Sequence, residues 1–446
     1  MKKLAIISSY NESCGNASYT EVLRKAFSVH VAVEVIPLDL FVLQKGGSFY
    51  GRHGDRHIDE IAKKLSEFDY VNIQFEAGLY GRGARTALRR VTKLINASKN
   101  VIVTMHRIDP PQEGTLETID FLLARKFHPL AFWKVRNTQG YINLYRDIVN
   151  VCAARAKEAK VSIAVHTRRE CRIVKDLYGF SNVFCYPLTF LQEAERKAVL
   201  QATDPAPFRA RHHVPEDVKI IGAFGFVSKY KGYETLLKTL TILPDNYHLY
   251  IFGGQHPQSL KANAPLDSYL KELFDLIAEE ERKKRDDRKR DGTPQDALDK
   301  HAKTFASEID VRNRVHFMGG LSDPDFIEAL RFSNYTVLPY LEVGQSMSGV
   351  VALAIESGAN LFCSNNHSFN EARKLWGDVY HTFDIGNHME LAEKIQHANR
   401  DFSKQRDEAY RKYNISNNIL RHLEAFGHAV ENVSLCNLGG DAKRYG

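Results

Sequence analysis

Short apolar runs alternate with amphipathic segments along the first half of the chain. The runs are rich in Val and Ile, and the segments between them repeat apolar residues every three or four positions. The predicted strands are KKLAIISS, VAVEVIPL, YVNIQFE, NVIVTMH and VSIAVH. Strands of this kind, separated by helices, are typical of βαβ units and a parallel sheet.

A second series of the same kind follows PAPFRARHHVPED, a stretch with the composition of a linker. Its predicted strands are VKIIGAFGF, YHLYIFGG, RVHFMGG, YTVLPY and NLFCSN. We therefore expect an α/β chain with two Rossmann-like domains, residues 1–200 and 215–400. A helical pattern returns in 401–446, and we expect that segment to pack on the first domain. Residues 279–308, dense in charges of both signs, predict a helical insertion that is either solvated or an arm that contacts a partner or a membrane.

Composition narrows the class of protein. The 446 residues are 43% hydrophobic and 26% charged, and no apolar stretch is long enough to span a membrane. The apolar run after the first two lysines is too short for a signal-peptide core and predicts a strand instead. Six scattered cysteines without a CxxC pair favour a reduced, cytoplasmic protein. A net charge of +7 suits anionic small molecules or an anionic membrane surface, although many soluble proteins share it.

Open α/β sheets bind ligands at the carboxyl ends of their strands. After VKIIGAFGF, the sequence VSKYKGYETLLKTL places Ser228 in a loop and Lys231 at the start of a helix. A lysine beside free N–H groups suits an anion, but lysines also begin helices that bind nothing. Glycines follow two further strands, at Gly253–Gly254 and at Gly319. They either let a ring or ribose approach the backbone or simply turn the chain.

The stretch GQSMSGVVALAIESG joins a strand to an Ala-rich helix. Ser346 and Ser348 are suitable N-cap residues, and N–H groups around Met347 and Gly349 can hold a diphosphate with the help of the helix dipole. Glu356 falls on the same helical face as Gly349. Its carboxylate either accepts hydrogen bonds from two vicinal hydroxyls, as on a ribose, or is satisfied inside the protein by a basic group or N–H.

Candidate residues in the first domain also follow strands. Gly15 lies in a loop between LAIISS and a helix, where backbone N–H groups are available. His106 ends NVIVTMH and His166 ends VSIAVH, so each is either a substrate contact or a structural histidine. No HExxH, DxD or clustered Cys and His spacing is present, and we expect no metal site. A phosphate-binding GxxxxGK[ST] loop, a GxSxG elbow and a nucleic-acid motif are absent from the sequence as well.

The second half resembles the donor-binding domain of glycosyltransferase family 4. The matching segments occur in family order: IIGAFGFVSKYKGYETLLKTL, HLYIFGG, RVHFMGGLSDPDFIEALRFSNYTVLPY and SGVVALAIESGANLFCSN. CGNASYT, VNIQFEAGLYG and VIVTMH in the first half fit more loosely. The family consists of retaining enzymes with the GT-B fold. The resemblance thus implies two Rossmann-like α/β domains facing a central cleft, with a C-terminal helix packing back on the N-terminal domain.

The resemblance also implies roles for individual residues. Lys231 matches the phosphate-binding lysine, whose usual arginine companion falls at Phe226. Glu356 matches the glutamate that holds the ribose, whereas the glutamate that touches the donor sugar falls at Ser348. Gly15 matches the N-terminal glycine loop and His106 the cleft histidine. With serine at 348, we expect donor specificity to depend on Gln345, Ser346 and Ser348.

The implied reaction is hexosyl transfer from a nucleotide-diphosphate sugar to a glycan or glycolipid acceptor, with retention at the anomeric carbon. No cofactor is expected, since the nucleotide sugar is a co-substrate. Bacterial surface polysaccharide synthesis in the cytoplasm, with peripheral contact at the inner membrane, is the setting implied by analogy. Two alternatives stay open: a non-catalytic nucleotide- or glycan-binding scaffold, and a sugar-nucleotide epimerase or phosphorylase on the same fold.

Overall fold

The computed structural model describes residues 1–12, 14–110, 129–255, 267–278, 311–342, 344, 346–397 and 399–428. Two compact units are present, each built on a six-stranded sheet. The first contains Met1–Gln192 and the segment from Ala409, and the second contains Glu193–Glu408. The predicted insertion 279–308 and Gln345 lie outside the described residues.

The sheet of the first unit is parallel throughout and has the order β2-β1-β3-β4-β5-β6. Its strands are β1 (Lys3–Ser8), β2 (Ala32–Pro37), β3 (Tyr70–Phe75), β4 (Asn100–Met105), β5 (Lys160–Val165) and β6 (Val183–Cys185). All six residues of β3 are buried, as expected for a strand covered on both faces. The edge strand β2 is mostly exposed and ends at Pro37, which has no N–H to donate to a further strand.

Helices connect these strands and carry the apolar faces that the sequence predicts. The helices of the first unit are Gly15–Phe27, Leu40–Leu43, Ser48–Lys64, Ala84–Ala97, Pro129–Arg155, Arg168–Arg172 and Ile415–Phe426. Short 3-10 turns occur at Leu65–Glu67 and Ala77–Leu79, and a π turn at Ile173–Leu177. Apolar side chains from β1, β3, β4 and β5 and from the helices around them form one continuous core.

The sheet of the second unit is also parallel and has the order β12-β11-β10-β7-β8-β9. Its strands are β7 (Lys219–Phe224), β8 (Tyr247–Phe252), β9 (Val315–Gly319), β10 (Tyr335–Leu338), β11 (Leu361–Ser364) and β12 (His381–Phe383). The predicted α/β architecture with two parallel sheets is therefore confirmed. β6 and β12 were not predicted, because each has only three residues and no long apolar run.

Two helices of the second unit are important below: Tyr233–Leu240, which follows β7, and Gly349–Glu356, which follows β10. Its helices are Glu193–Gln201, Ala206–Arg211, Tyr233–Leu240, 268–278, Asp323–Phe332, Gly349–Glu356, His367–Trp376, His388–His397 and Ser403–Lys412, with 3-10 turns at Lys229–Lys231 and Val311–Arg314. Among the described residues, no helix is both long enough and apolar enough to cross a membrane.

The chain enters the second unit after Gln192, ahead of the linker that the sequence predicts at 200–215. The helix Glu193–Gln201 belongs to the second unit because the guanidinium of Arg331 donates to the carbonyl oxygen of Leu200, 3.2 Å away. The apolar pattern of this helix is too short to predict from the sequence on which of the two units the helix packs.

The chain rejoins the first unit at Ala409, inside the helix Ser403–Lys412, and not at 401. The helix Ile415–Phe426 packs on the first unit, where Asn418 Nδ2 donates to the hydroxyl of Tyr19 at 3.0 Å. Its ends are well defined: Asn414 accepts from the N–H of Asn417 at 2.9 Å, and Gly427 follows in the left-handed conformation.

The close approach of β7 and β8 at their carboxyl ends generates a stability prediction. A Cβ on Gly253 would overlap the carbonyl oxygen of Gly225, a backbone atom that cannot rotate away. We expect Gly253→Ala to lower the free energy of unfolding by about 1–3 kcal/mol, the usual cost of overpacking. Gly320→Ala is the matched control, because nothing lies within 4 Å of its added Cβ. Equal denaturation midpoints of the two variants would contradict the prediction.

Candidate functional site

The loop after β7 turns back sharply and presents a lysine. Gly225 has φ +96°, and Ser228 precedes the 3-10 turn Lys229–Lys231. Gly232 then adopts φ +66° with its Cα against the carbonyl oxygen of Pro339, where a Cβ would overlap that oxygen. The loop is also tied to the segment after β10 by a hydrogen bond from Leu341 N to Tyr230 O, 2.7 Å. These contacts fix the position of the backbone at Lys231.

Lys231 is 5% exposed, and its ammonium lies against aromatic groups. Nζ donates to the hydroxyl of Tyr340 and lies 3.8 Å from the centroid of the Tyr340 ring and 5.0 Å from that of Tyr230. Burial lowers the pKa of Lys231 to about 7. No carboxylate of the described residues forms an ion pair with it, whereas the exposed neighbour Lys229 is paired with Glu272 at 3.3 Å. The Lys231 site is therefore suited to an anion supplied from outside the chain.

The helix Gly349–Glu356 begins beside this lysine. Both groups lie near the point where a Cβ of Gly225 would be. Lys231 Nζ is 3.1 Å from this point, and Cγ2 of Val350, in the first turn of the helix, is 3.9 Å from it. Ser348 occupies the N-cap position with an extended backbone, but its side chain makes no capping hydrogen bond. The predicted capping role is thus wrong for Ser348, because its hydroxyl bonds to Tyr340 instead, which partly offsets the rise that burial causes in the pKa of that phenol.

The other predicted donor-site residues of this stretch lie close in the chain and are buried. Ser346 is 8% exposed, and its carbonyl oxygen accepts a hydrogen bond from Ser368 Oγ at 3.1 Å. Met347 is buried as well. Gly349 is the first residue of the helix, so its N–H is among those that have no acceptor within the helix. Glu356 is the last residue of the same helix and is 5% exposed.

The predicted glycines have structural reasons of their own. Gly253 packs against the Gly225 carbonyl, and the carbonyl oxygen of Gly254 accepts from Val227 N at 2.9 Å. Gly319 ends β9 with φ +73° and has open space around its Cα. Close contacts between the loops after β7 and β8 thus explain Gly253 and Gly254 without a ligand, and the left-handed backbone explains Gly319. Ser228 is only partly buried, and its hydroxyl group is shielded from solvent.

His106 in the first unit is held by side chains on both sides of its ring. Nε2 lies 2.8 Å from Gln74 Oε1, and Nδ1 lies 3.2 Å from His166 Nε2. His166 Nδ1 faces the carbonyl oxygen of Tyr186 at 3.0 Å, so this nitrogen must carry a proton. Burial lowers the pKa of His166 to about 4 and that of His106 well below its usual range, with repulsion from His166 adding to the shift. Both rings are therefore neutral at pH 7.

Neutrality fixes the direction of the hydrogen bonds along this chain. With Nδ1 protonated, His166 accepts at Nε2, so His106 donates from Nδ1 and its own Nε2 is an acceptor. This requires the side-chain amides of Gln74 and Asn72 to be turned over. Gln74 then donates to His106 and accepts from Asn72 instead of donating to it, and Asn72 accepts from Thr104 Oγ1 instead of donating to it. This assignment of the two amide orientations follows from the hydrogen-bond network. His106 thus has both ring nitrogens occupied by buried neighbours.

The sequence did not predict the residues that hold Lys231 and His106. Tyr340 stands at the end of YTVLPY, and Asn72 and Gln74 alternate inside the buried strand YVNIQFE. Amides on the interior of a fully buried strand are a signal, because each must find a partner. Gly15 begins the helix Gly15–Phe27, and nothing lies within 4 Å of its Cβ position, so its surroundings are open.

A carboxyl group that the sequence did not single out lies at the end of β3. Burial raises the pKa of Glu76, opposed in part by the positive charge of Arg107. Arg107 is itself paired with Asp109, with Nε 2.9 Å from Oδ2. A carboxyl group with a raised pKa can hold a proton and donate a hydrogen bond. In the part of the chain that the structure describes, no group of three or more His, Cys, Asp or Glu could hold a metal ion.

No protein-family model matches the sequence, and no curated protein matches it. Several solved structures do match. A glycosyltransferase from Rickettsia africae is 12% identical with a TM-score of 0.61, over 97% of this chain and 100% of that one. Anabaena HepE in complex with UDP and glucose is 14% identical with a TM-score of 0.60, over 95% and 100%. WaaG, a glycosyltransferase involved in lipopolysaccharide biosynthesis, is 11% identical with a TM-score of 0.53, over 96% and 100%.

At these identities the likeness concerns the fold. The two parallel six-stranded sheets with flanking helices match the Rossmann-like domains of GT-B structures. The described order of strands and the full coverage of the matched chains agree with the predicted fold class. The chain has the GT-B fold.

Proposed function

We propose that the protein is a retaining glycosyltransferase that moves a hexosyl group from a nucleotide-diphosphate sugar to a glycan or glycolipid acceptor. The observation that carries the proposal is the buried ammonium of Lys231, which has no carboxylate partner among the described residues and lies beside the start of the helix Gly349–Glu356. A diphosphate supplies the missing negative charge. The GT-B fold, shared with structures that bind UDP and glucose, supports the same assignment.

The proposed reaction breaks the bond between the anomeric carbon and the diphosphate oxygen, and the electron pair leaves with the diphosphate. Lys231 and the N–H groups at the start of the helix, around Ser346 to Gly349, stabilise this charge as it develops. The acceptor oxygen bonds to the same face of the anomeric carbon, and its proton passes to the departing phosphate. All the charge stabilisation in this scheme comes from the protein, so the proposal includes no metal and no further cofactor.

Glu356 is proposed to hold the ribose. It follows Gly349 by two helical turns, which corresponds to roughly 10 Å along the helix axis and returns to nearly the same face. That spacing matches a nucleotide whose diphosphate lies at the start of the helix and whose ribose lies near its end. The loops of Gly253, Gly254 and Gly319 are proposed to contact the base, and Ser228 the phosphates.

His106 is proposed to contact the donor sugar, and Gly15 to offer backbone N–H groups near it. Because both nitrogens of His106 are occupied, a sugar hydroxyl reaches Nε2 only by replacing Gln74. The exchange is between neutral groups and leaves the ring uncharged, consistent with its lowered pKa. Gln345, Ser346 and Ser348 are proposed to set donor specificity, since short side chains there leave room for the sugar.

The setting we propose is surface polysaccharide or glycolipid synthesis in the cytoplasm, with peripheral contact at an anionic inner membrane. WaaG, which shares the fold, is involved in lipopolysaccharide biosynthesis, and this supports a related setting. Nothing in the proposal requires a nucleic-acid partner.

A donor screen tests the reaction itself. We expect one nucleotide sugar of a panel to be consumed in the presence of acceptor glycans, and proton NMR of the new linkage to show the anomeric configuration of the donor. Inverted product would overturn the retaining mechanism. Binding of nucleotide without any transfer or hydrolysis would favour a non-catalytic scaffold. The presence of Phe226 and Ser348, where the resembled family has an arginine and a glutamate, also supports that alternative.

Two neighbouring lysines test the anion site. We expect Lys231→Ala to weaken nucleotide-sugar binding about 10- to 150-fold, because a hydrogen bond to a charged group is lost, worth about 1.5–3 kcal/mol. Lys229→Ala removes the same charge from an exposed position and serves as the control. Calorimetry measures both affinities. Equal losses would mean that only overall charge matters, and no loss in either would remove Lys231 from the site.

Glu356 is tested by an isosteric change. Glu356→Gln keeps the volume of the side chain but replaces a charged acceptor by a neutral amide, so we expect the affinity for a ribonucleotide sugar to fall. The matched ligand is the 2′-deoxy analogue, which lacks one of the two hydroxyls. If the Glu356 carboxylate holds the ribose, the wild type binds the ribonucleotide sugar much more tightly than its 2′-deoxy analogue. The Glu356→Gln variant then shows a much smaller difference between the two ligands. Equal discrimination by both proteins would contradict the assignment.

The lowered pKa of Lys231 predicts proton-linked binding. A bound diphosphate favours the ammonium form, so the pKa of Lys231 rises from about 7 on binding. Binding therefore takes up a proton above pH 7, and affinity falls by up to about tenfold per pH unit until the raised pKa is reached. A nucleotide sugar is the proper ligand, since its diphosphate diester does not titrate there. Calorimetry in buffers of different protonation enthalpy should show uptake that Lys231→Ala abolishes.

A further inference from the structure

Two exposed phenyl rings in the first unit lie beside cations that form no ion pair with any residue that the structure describes. Phe41 is 63% exposed and Phe49 is 58% exposed, and Tyr50 joins them, with ring centroids 6.1 Å and 5.4 Å away. Lys45 Nζ lies 3.4 Å from the centroid of Phe41. Single exposed apolar residues are ordinary on a soluble protein, but a joined pair beside cations indicates an interaction surface.

Arginines extend this surface along two neighbouring helices. Asp55 is paired with Arg89 at 2.8 Å, and Asp59 with Lys93, one turn further along both helices. Ser48–Lys64 and Ala84–Ala97 therefore run parallel, side by side. Position 55 faces 89 and position 59 faces 93, so one helical turn earlier position 51 faces position 85. The exposed Arg85 therefore lies near Arg52, the residue after position 51. The loops are also close, because Arg82 Nη1 is 3.3 Å from the Cβ position of Gly46.

The charges on this surface have no internal explanation. Neither helix has an acidic residue in its first turn, although the positive end of the helix dipole favours one there. Among the described residues, none of Lys45, Arg52, Arg82 and Arg85 forms an ion pair. Of the nearby acids, Asp55 is neutralised by Arg89 and Arg90, and Asp39 accepts from Val42 N at the start of a short helix. The net positive charge is thus left for a partner.

We propose that this basic aromatic surface docks on an anionic lipid bilayer. It is defined by Phe41, Lys45, Phe49, Arg52, Arg82 and Arg85. Phenyl rings flanked by cations suit the boundary between headgroups and acyl chains, where rings enter the apolar layer and cations meet lipid phosphates. Stacking on nucleic-acid bases fits less well, because Lys45 covers a face of Phe41, and Phe49 packs on Tyr50 and His53.

The surface lies at the edge of the sheet where ligands of open α/β folds bind. Phe41 and Lys45 follow the carboxyl end of β2, and Arg82 and Arg85 follow that of β3. In open α/β sheets this is the edge at which ligands bind. The surface therefore holds the binding edge of the first unit toward the membrane, where a lipid-linked acceptor is found. This last step depends on the proposed transferase function, whereas the docking itself does not.

Vesicle binding of the full chain tests the surface without any nucleotide. We expect cosedimentation with vesicles of phosphatidylglycerol and phosphatidylcholine, little with phosphatidylcholine alone, and loss at high salt, where charges are screened. Arg82→Gln with Arg85→Gln should weaken partitioning about 25-fold, since each cation near an anionic surface contributes about fivefold. Phe41→Ser with Phe49→Ser should weaken it about tenfold or more through lost apolar burial.

The control removes two charges from the opposite edge of the same sheet. Lys99→Gln with Lys157→Gln changes exposed lysines that precede β4 and β5, and partitioning should stay within about twofold of wild type. If the arginine variant shows no thermal unfolding transition and so does not fold, Lys45→Gln tests the surface in its place. Equal losses in control and surface variants, or no binding of wild type to anionic vesicles, would overturn the proposal. So would tighter binding to a single-stranded oligonucleotide that the surface variants abolish.

Discussion

Burial of the Lys231 ammonium, for which the described residues provide no counter-ion, is the constraint on which the candidate site depends. A buried charge is costly unless it is paired, and the described groups around this one are aromatic rings and a phenol. Holding the amine there requires the left-handed Gly232 against the Pro339 carbonyl and a Gly225 without a Cβ. The protein tolerates the cost by letting the pKa fall to about 7, which leaves a site whose charge responds to an arriving anion.

The buried amides and imidazoles along β3, β4 and β5 of the first unit are satisfied in the opposite way. Its sheet has the same parallel construction, yet the groups at the carboxyl ends of β3, β4 and β5 form a closed chain of neutral hydrogen bonds from Asn72 through Gln74 and His106 to His166. Such a network keeps its geometry because every donor meets an acceptor.

The sequence was sufficient for the architecture and for selecting part of the candidate site. Long Val- and Ile-rich runs predicted the central strands because helices on both faces demand apolar residues throughout. Lys231 was a candidate because a helix start follows a strand. Tyr340 and Gln74 were not found, since their roles depend on contacts between residues far apart in the chain. Ser348 shows the limit of local rules: a good N-cap residue by type, it turns its hydroxyl to Tyr340 when the tertiary structure offers that partner.

That contact also explains why serine suits position 348. Ser348 and Lys231 both reach the hydroxyl of Tyr340, so a longer acidic side chain at 348 would bring a carboxylate close to the ammonium. A carboxylate there would pair with Lys231, raise its pKa and compete with an incoming diphosphate. Serine adds no charge at this position, so the pKa of Lys231 stays low and its ammonium form is left without a competing internal carboxylate from residue 348.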